Sequence, residues 1–159
     1  MPKQIELTQG KVAIVDDEDF EWLNQWKWYA VRRGTIWYAV RTKRLPKRRI
    51  IYMHRIIMEP PVDLQIDHQN MDGLDNRRCN LRICTRSQNL MNSKKCHLDH
   101  TSRFKGIYWN KRDKKWHARI GHKGHHIGYF DDELEAAKAY NKIAFKLFGE
   151  FARLNVIGE

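Results

Sequence analysis

The sequence predicts an α+β protein in two parts, a β-rich N-terminal part and a smaller sheet-and-helix part. Three observations carry that expectation. Short apolar runs alternate with turn residues through the first 92 positions. A polar stretch without periodicity follows, over residues 93–101. Beyond it, three strand-like segments lead into one long amphipathic pattern. The expected organisation is therefore 1–92, a linker at 93–101, and 102–159.

At 159 residues the chain suits one domain or two small ones. Thirty Lys and Arg against nineteen Asp and Glu give a net charge of +11, which favours a polyanionic partner. Nucleic acid is expected over membrane, because no apolar run approaches a membrane span and no basic amphipathic helix dominates. The N-terminus, MPKQIELTQG, lacks the apolar core of a signal peptide, so a cytoplasmic location is expected. Cys79, Cys84 and Cys96 form no CxxC pair, in keeping with a reducing compartment. Cys96, His97 and His100 fall short of a four-ligand zinc site.

The first 31 residues carry three Lys against six acidic residues. A strand is expected around Val12 and Ile14. Asp16-Asp17-Glu18-Asp19 then places negative charge at the start of a short helix through Phe20, Trp22 and Leu23, where the helix dipole favours it. The repeat Trp28-Tyr29-Ala30-Val31 and Trp37-Tyr38-Ala39-Val40 reads as one β-hairpin whose aromatics form core. From Arg32 to Arg55 there are nine Lys or Arg and no acid, a candidate phosphate-tracking surface. Pro60-Pro61 ends the apolar segment that begins near Met53.

Residues 53–92 hold the chemistry. Leu64 and Ile66 lead into Asp67-His68, a turn-rich segment follows, and Leu81 and Ile83 form a second strand. Thr85-Arg86-Ser87-Gln88 has the form of a capping box, so a helix should open at Arg86. Strand, loop, strand and helix would bring His68, Asn80 and Asn89 to one point. Asp67 and Asn89 are oxygen ligands of the kind Mg²⁺ takes, with Mn²⁺ a possible substitute. His68 can take a proton from water near neutral pH, and Asn80 can orient its ring. Together these residues suit phosphodiester hydrolysis.

This stretch resembles the HNH endonuclease family (the ββα-metal fold), particularly its phage and homing types. The matching residues are His54-Arg55, Asp67-His68, Gly73, Asp75-Asn76, Asn80-Leu81-Arg82 and Asn89. The resemblance implies a DNA endonuclease leaving a 5′-phosphate and a 3′-hydroxyl. His68 would be the general base, Asn80 its orienting residue, Asp67 and Asn89 the metal ligands, and His54 a further site residue. Met71 departs from the pattern, standing where relatives often have Gly.

In the C-terminal part, strands are expected at 104–109, 115–120 and 125–130, and a helix from Asp131-Asp132 to about Phe148, with Gly149 as its stop. Residues 101–130 hold eight Lys or Arg against one Asp, a local balance of +7, whereas residues 131–159 balance at −2. The sheet is therefore the basic side. His122, His125 and His126 read as DNA contacts or exposed residues rather than a metal cluster. The segment resembles the Apetala/ethylene-response-factor DNA-binding domain in its phage and bacterial form. It does so through Lys105-Gly106-Ile107, Trp116-His117-Ala118-Arg119-Ile120, Gly128-Tyr129-Phe130, Glu135-Ala136-Ala137, Ala139-Tyr140, Gly149 and Leu154-Asn155. That resemblance implies a sheet in the major groove of double-stranded DNA, with Lys105, Tyr108, Asn110, Arg112, Arg119 and His126 facing it. Plant relatives have Arg or Trp at several of these positions, so the DNA sequence read should differ. The alternative to a targeted nuclease is a DNA-binding regulator that keeps the nuclease motif as scaffold.

Overall fold

The computed structural model describes residues 1–44, 46–93, 101–121 and 125–158. The chain is mixed α+β and divides into two compact units, Met1–Asn89 and Leu90–Glu159. Most of the expected linker, including Cys96, His97 and His100, lies outside the described residues, as does His122.

In the first unit, β1 (Lys3–Glu6) pairs antiparallel with β2 (Val12–Val15). Helix α1 (Asp17–Asn24) follows with Asp17, Glu18 and Asp19 in its first turn. The acidic run thus opens a helix as expected, but Asp16 does not cap it with its side chain. Asp16 Oδ2 instead accepts the backbone N–H of Arg78 at 2.7 Å, and the buried Asp19 receives the Arg78 guanidinium at 2.7 and 2.8 Å. The hairpin forms from β3 (Tyr29–Arg33) and β4 (Ile36–Lys43). Its outer strand β5 (Arg49–Tyr52) was not expected from the sequence, because basic residues break its apolar alternation. The segment after it is a short helix, α2 (Met53–Met58), ending in a left-handed Glu59 just before Pro60.

Strands β6 (Gln65–His68) and β7 (Leu81–Cys84) pair antiparallel, and α3 (Arg86–Met91) follows. The capping box forms as expected: Gln88 N–H donates to Thr85 Oγ1 at 3.2 Å, and Thr85 N–H donates to Gln88 Oε1 at 2.8 Å. One core joins the N-terminal strands to these elements, with Ile5, Val15, Leu23, Trp28, Met53, Ile57, Ile66 and Leu81 all buried together. The motif therefore shares its hydrophobic support with the extension ahead of it.

In the second unit, β8 (Ile107–Asn110), β9 (Lys115–Ile120) and β10 (His125–Phe130) form an antiparallel sheet with β9 at its centre. Helix α4 (Glu133–Phe148) covers one face through Ala136, Ala137, Tyr140 and Ala144, packed on Ile107, Ala118 and Ile120. Asp132 caps it, accepting Glu135 N–H at 2.9 Å, and Gly149 ends it at φ 53°. Asn155 ties the C-terminal segment down: its Oδ1 accepts Lys105 N–H at 2.6 Å, and its own N–H donates to Asn141 Oδ1 at 2.7 Å. Among the described residues no helix is long and apolar enough to cross a membrane.

Candidate active site

His68 closes β6 opposite Leu81 and is 6% exposed. Its ring lies 5.0 Å, centroid to centroid and edge-on, from that of His54 in the first turn of α2, and 5.9 Å from that of Tyr38 on β4. Tyr52, at the end of β5, packs 5.4 Å from His54 and 5.8 Å from Tyr38. Strands from the hairpin, helix α2 and strand β6 thus meet at one aromatic cluster.

Burial sets the charge state of that cluster. It pushes the His54 imidazole down to about 3, helped by the neighbouring His68 and Arg55. Burial also lowers His68, while a hydrogen bond that the ring donates to Asn76 and the charges of Asp67, Asp72 and Asp75 pull the other way. Burial raises the Tyr38 phenol above its ordinary value. At neutral pH the cluster therefore presents two neutral imidazoles and a protonated phenol. A neutral histidine is the form that accepts a proton.

The loop after His68 is held by Asn80. Its Oδ1 accepts Asn70 N–H at 3.0 Å, and its Nδ2 donates to the Asp75 carbonyl at 2.8 Å, so one amide clamps both ends of the loop. Asn70 Nδ2 also donates to Asp75 Oδ2 at 2.9 Å, and Arg77 grips the same carboxylate at 2.6 and 2.8 Å. Asn80 acts on the loop that begins at His68. Met71 sits within it at φ 60°, the left-handed conformation that glycine takes without cost. The departure from glycine leaves the turn in place, at a strain of about 1–2 kcal/mol.

The expectation of Mg²⁺, with Mn²⁺ as substitute, is overturned. Among the described residues no three His, Cys, Asp or Glu side chains come together in a group that could hold a metal ion. Neither expected ligand, Asp67 or Asn89, is placed to bind one. Asp67 is instead bound by Arg82, whose Nε and Nη2 donate to its Oδ2 at 2.9 and 2.6 Å. Asn89 donates through Nδ2 to Gln65 Oε1 at 2.8 Å, joining α3 to the start of β6. A guanidinium fork supplies the positive charge that a cation would bring to the carboxylate. The strand, strand and helix occur in the expected order without the metal group.

Sequence reasoning missed Tyr38 and Tyr52, and it gave Arg82, one of the residues matching the HNH pattern, no role. Arg82 had a signal: Asp67 and Arg82 stand directly opposite in the β6–β7 pairing, where opposite charges attract. Tyr38 had none, because its neighbours Ala39 and Val40 are core residues and the whole repeat reads as core.

The second candidate surface is the sheet face turned away from α4. Tyr108, His117 and Tyr129 are cross-strand neighbours in register, and His117 stacks on Tyr129 at 4.4 Å between centroids and 25° between planes. A β-bulge between His126 and Gly128 lets His126 share this face with Tyr129, three positions on. The Tyr108 hydroxyl bonds His117 Nδ1 at 2.6 Å, and His117 Nε2 bonds His126 Nδ1. Arg119, exposed, stands opposite His126. Tyr108, Arg119 and His126 are thus brought to one face, and His117 and Tyr129 join them.

The other three expected contacts are engaged differently. Asn110 and Arg112 build the β8–β9 turn, both donating to the Asp113 carboxylate, at 2.7 and 3.1 Å. Lys105 turns its ammonium onto the main-chain carbonyls of Met91 and Ser93, at 2.7 and 2.9 Å, and burial brings its pKa down to about 8.

No family model matches the chain, and no solved structure matches it. The chain is 31% identical over 152 residues to an uncharacterised HNH endonuclease of Acanthamoeba polyphaga mimivirus, covering 94% of this chain and 77% of that protein. With the site geometry, that similarity places the chain in the HNH endonuclease family.

Proposed function

We propose that the protein hydrolyses phosphodiester bonds in double-stranded DNA, with His68 as the general base that deprotonates the attacking water. The observation that carries this reading is the buried His68 ring, packed against His54 and Tyr38 at the end of β6. Asn80 serves that base through the loop it clamps. The basic strands β4 and β5 offer a track for DNA phosphates. In the second unit, the resemblance to the Apetala/ethylene-response-factor domain makes the outer sheet face the reader of sequence. Tethering a weakly specific catalyst to such a reader raises its effective concentration at the bound site.

Wild-type protein should convert supercoiled DNA to nicked or linear product, and His68→Ala should lose that conversion by two orders of magnitude or more while still shifting DNA on a gel. Full activity in His68→Ala would refute its role as base. Cleavage should persist in chelator, and a strict dependence on added divalent ion would show that the site takes a metal after all.

The Arg82–Asp67 pair favours one other reading, a DNA-binding regulator in which the nuclease motif is scaffold. Tight binding without strand cleavage would support it. For either reading, Arg119→Ala and His126→Ala should weaken DNA binding by roughly tenfold each, the scale of one lost base or phosphate contact. Unchanged binding in both variants would move the reader away from this face. Affinity should also fall by orders of magnitude between about 50 and 200 mM salt if about eight phosphates are neutralised.

A further inference from the structure

The N-terminal extension braces the loop between β6 and β7 at three separate points. Backbone bonds join β2 to it, from Ile14 N–H to the Leu74 carbonyl at 2.8 Å and from Asn76 N–H to the Ile14 carbonyl at 2.7 Å. Arg78 anchors its far end on Asp16 and Asp19 of the α1 start. At the third point, Gly73 lies directly against β4: a Cβ there would fall 2.4 Å from the Trp37 carbonyl oxygen and 2.8 Å from the Tyr38 ring. The same Tyr38 ring touches both His54, at 5.7 Å, and His68, at 5.9 Å.

Tyr38 therefore stands where the extension, the loop and both imidazoles converge. A histidine at a strand end keeps two side-chain torsions, and packing on its ring faces and edges helps to fix the plane of the imidazole, beside the hydrogen bond with Asn76. His54 meets the His68 ring edge-on at 89°. The Tyr38 ring is inclined at 62° to it. Two inclined rings leave the imidazole little room to rotate.

We propose that Tyr38, contributed by the hairpin outside the nuclease motif, is a positioning residue for His68, acting through its ring rather than its hydroxyl. This inference rests on the reading of His68 as general base. It makes the extension part of the catalytic apparatus as well as a support for the core.

The test is steady-state cleavage of plasmid DNA by the full chain as wild type, His68→Ala, Tyr38→Phe and Tyr38→Leu, with melting temperatures measured alongside. Tyr38→Phe keeps the ring and should cleave within about threefold of wild type. Tyr38→Leu should lower kcat by roughly 10- to 100-fold with little change in KM, the scale of a misplaced catalytic group. If Tyr38→Leu fails to fold, Tyr38→Met, whose flexible side chain fills irregular space, takes its place under the same readings. Wild-type kcat in the Leu or Met variant overturns the inference, as does a loss confined to KM. A loss in Tyr38→Phe as large as in Tyr38→Leu would make the hydroxyl the active group and also overturn it. In those cases cleavage lost in His68→Ala leaves the base assignment standing. A wild-type chain that does not cleave overturns both.

Discussion

Gly73→Ala is expected to destabilise the first unit and to disable the site together. The added methyl would sit 2.4 Å from a backbone oxygen, that of Trp37, and 2.8 Å from two atoms of the Tyr38 ring. The ring can turn a little, but the carbonyl belongs to β4, where Trp37 is held in register opposite Arg32 of β3. Relief must come from moving the loop. Overpacking of this kind costs about 1–3 kcal/mol, and in a unit of this size each kcal/mol lowers the melting temperature by roughly 4–8 °C. Moving the loop also disturbs the Asn80 clamp and the Tyr38 ring beside His68, so cleavage should fall further than stability. A Gly73→Ala protein that melts within a degree of wild type and cleaves at the same rate would show that the close approach of strand and loop is not needed.

Acidification should destabilise the same unit through His54. Its imidazole lies near 3 in the folded protein and takes the ordinary value of about 6.5 when unfolded. Above that unfolded value neither state carries the proton, and the group does not affect stability. As pH falls from 6.5 toward 3, the unfolded chain binds a proton that the folded chain refuses, so folding loses up to about 1.4 kcal/mol per pH unit. Below about 3 the folded state is protonated too, and no further loss accrues. His68, also lowered by burial, adds a loss of the same sign as pH falls below its ordinary value. Denaturant titrations at a series of pH values should show stability declining below pH 6.5, with a shallower slope for His54→Gln. An unchanged slope in that variant would mean that His54 titrates freely.

Much of the architecture was legible because local chemistry and tertiary structure agree. The capping box at Thr85 and Gln88, the Asp132 cap of α4 and the strands on either side of the Asn110–Lys114 turn all form from neighbouring residues. What escaped was long-range. Arg78 meets Asp19 across 59 positions, and Lys105 meets Asn155 across 50, so neither partner can be found from spacing. Strand β5 exists because β4 offers it an edge, not because its own pattern demands it. In the site, the sequence placed His68 on a strand and Asn89 on a helix as found, but Asn80 ends an unexpected 3-10 turn, Arg78–Asn80, just before β7, and the partner of Asp67 was mistaken. Ligand type alone could not reveal that Arg82, directly across the hairpin, already neutralises that carboxylate. Tyr38 was hidden for the opposite reason, since an aromatic in a core-like repeat looks the same whether it lines the interior or a site.

The most direct measurement is the state of the DNA recovered from the protein–DNA complex itself. A gel-shifted complex of full-length protein with source or plasmid-derived duplex would be excised, and its strands resolved under denaturing conditions for wild type and His68→Ala. The account predicts broken strands in the wild-type complex and intact strands in the variant, at equal amounts of bound DNA. Intact strands in both, from complexes of normal affinity, would contradict it and leave a protein that binds DNA through a nuclease fold without cutting.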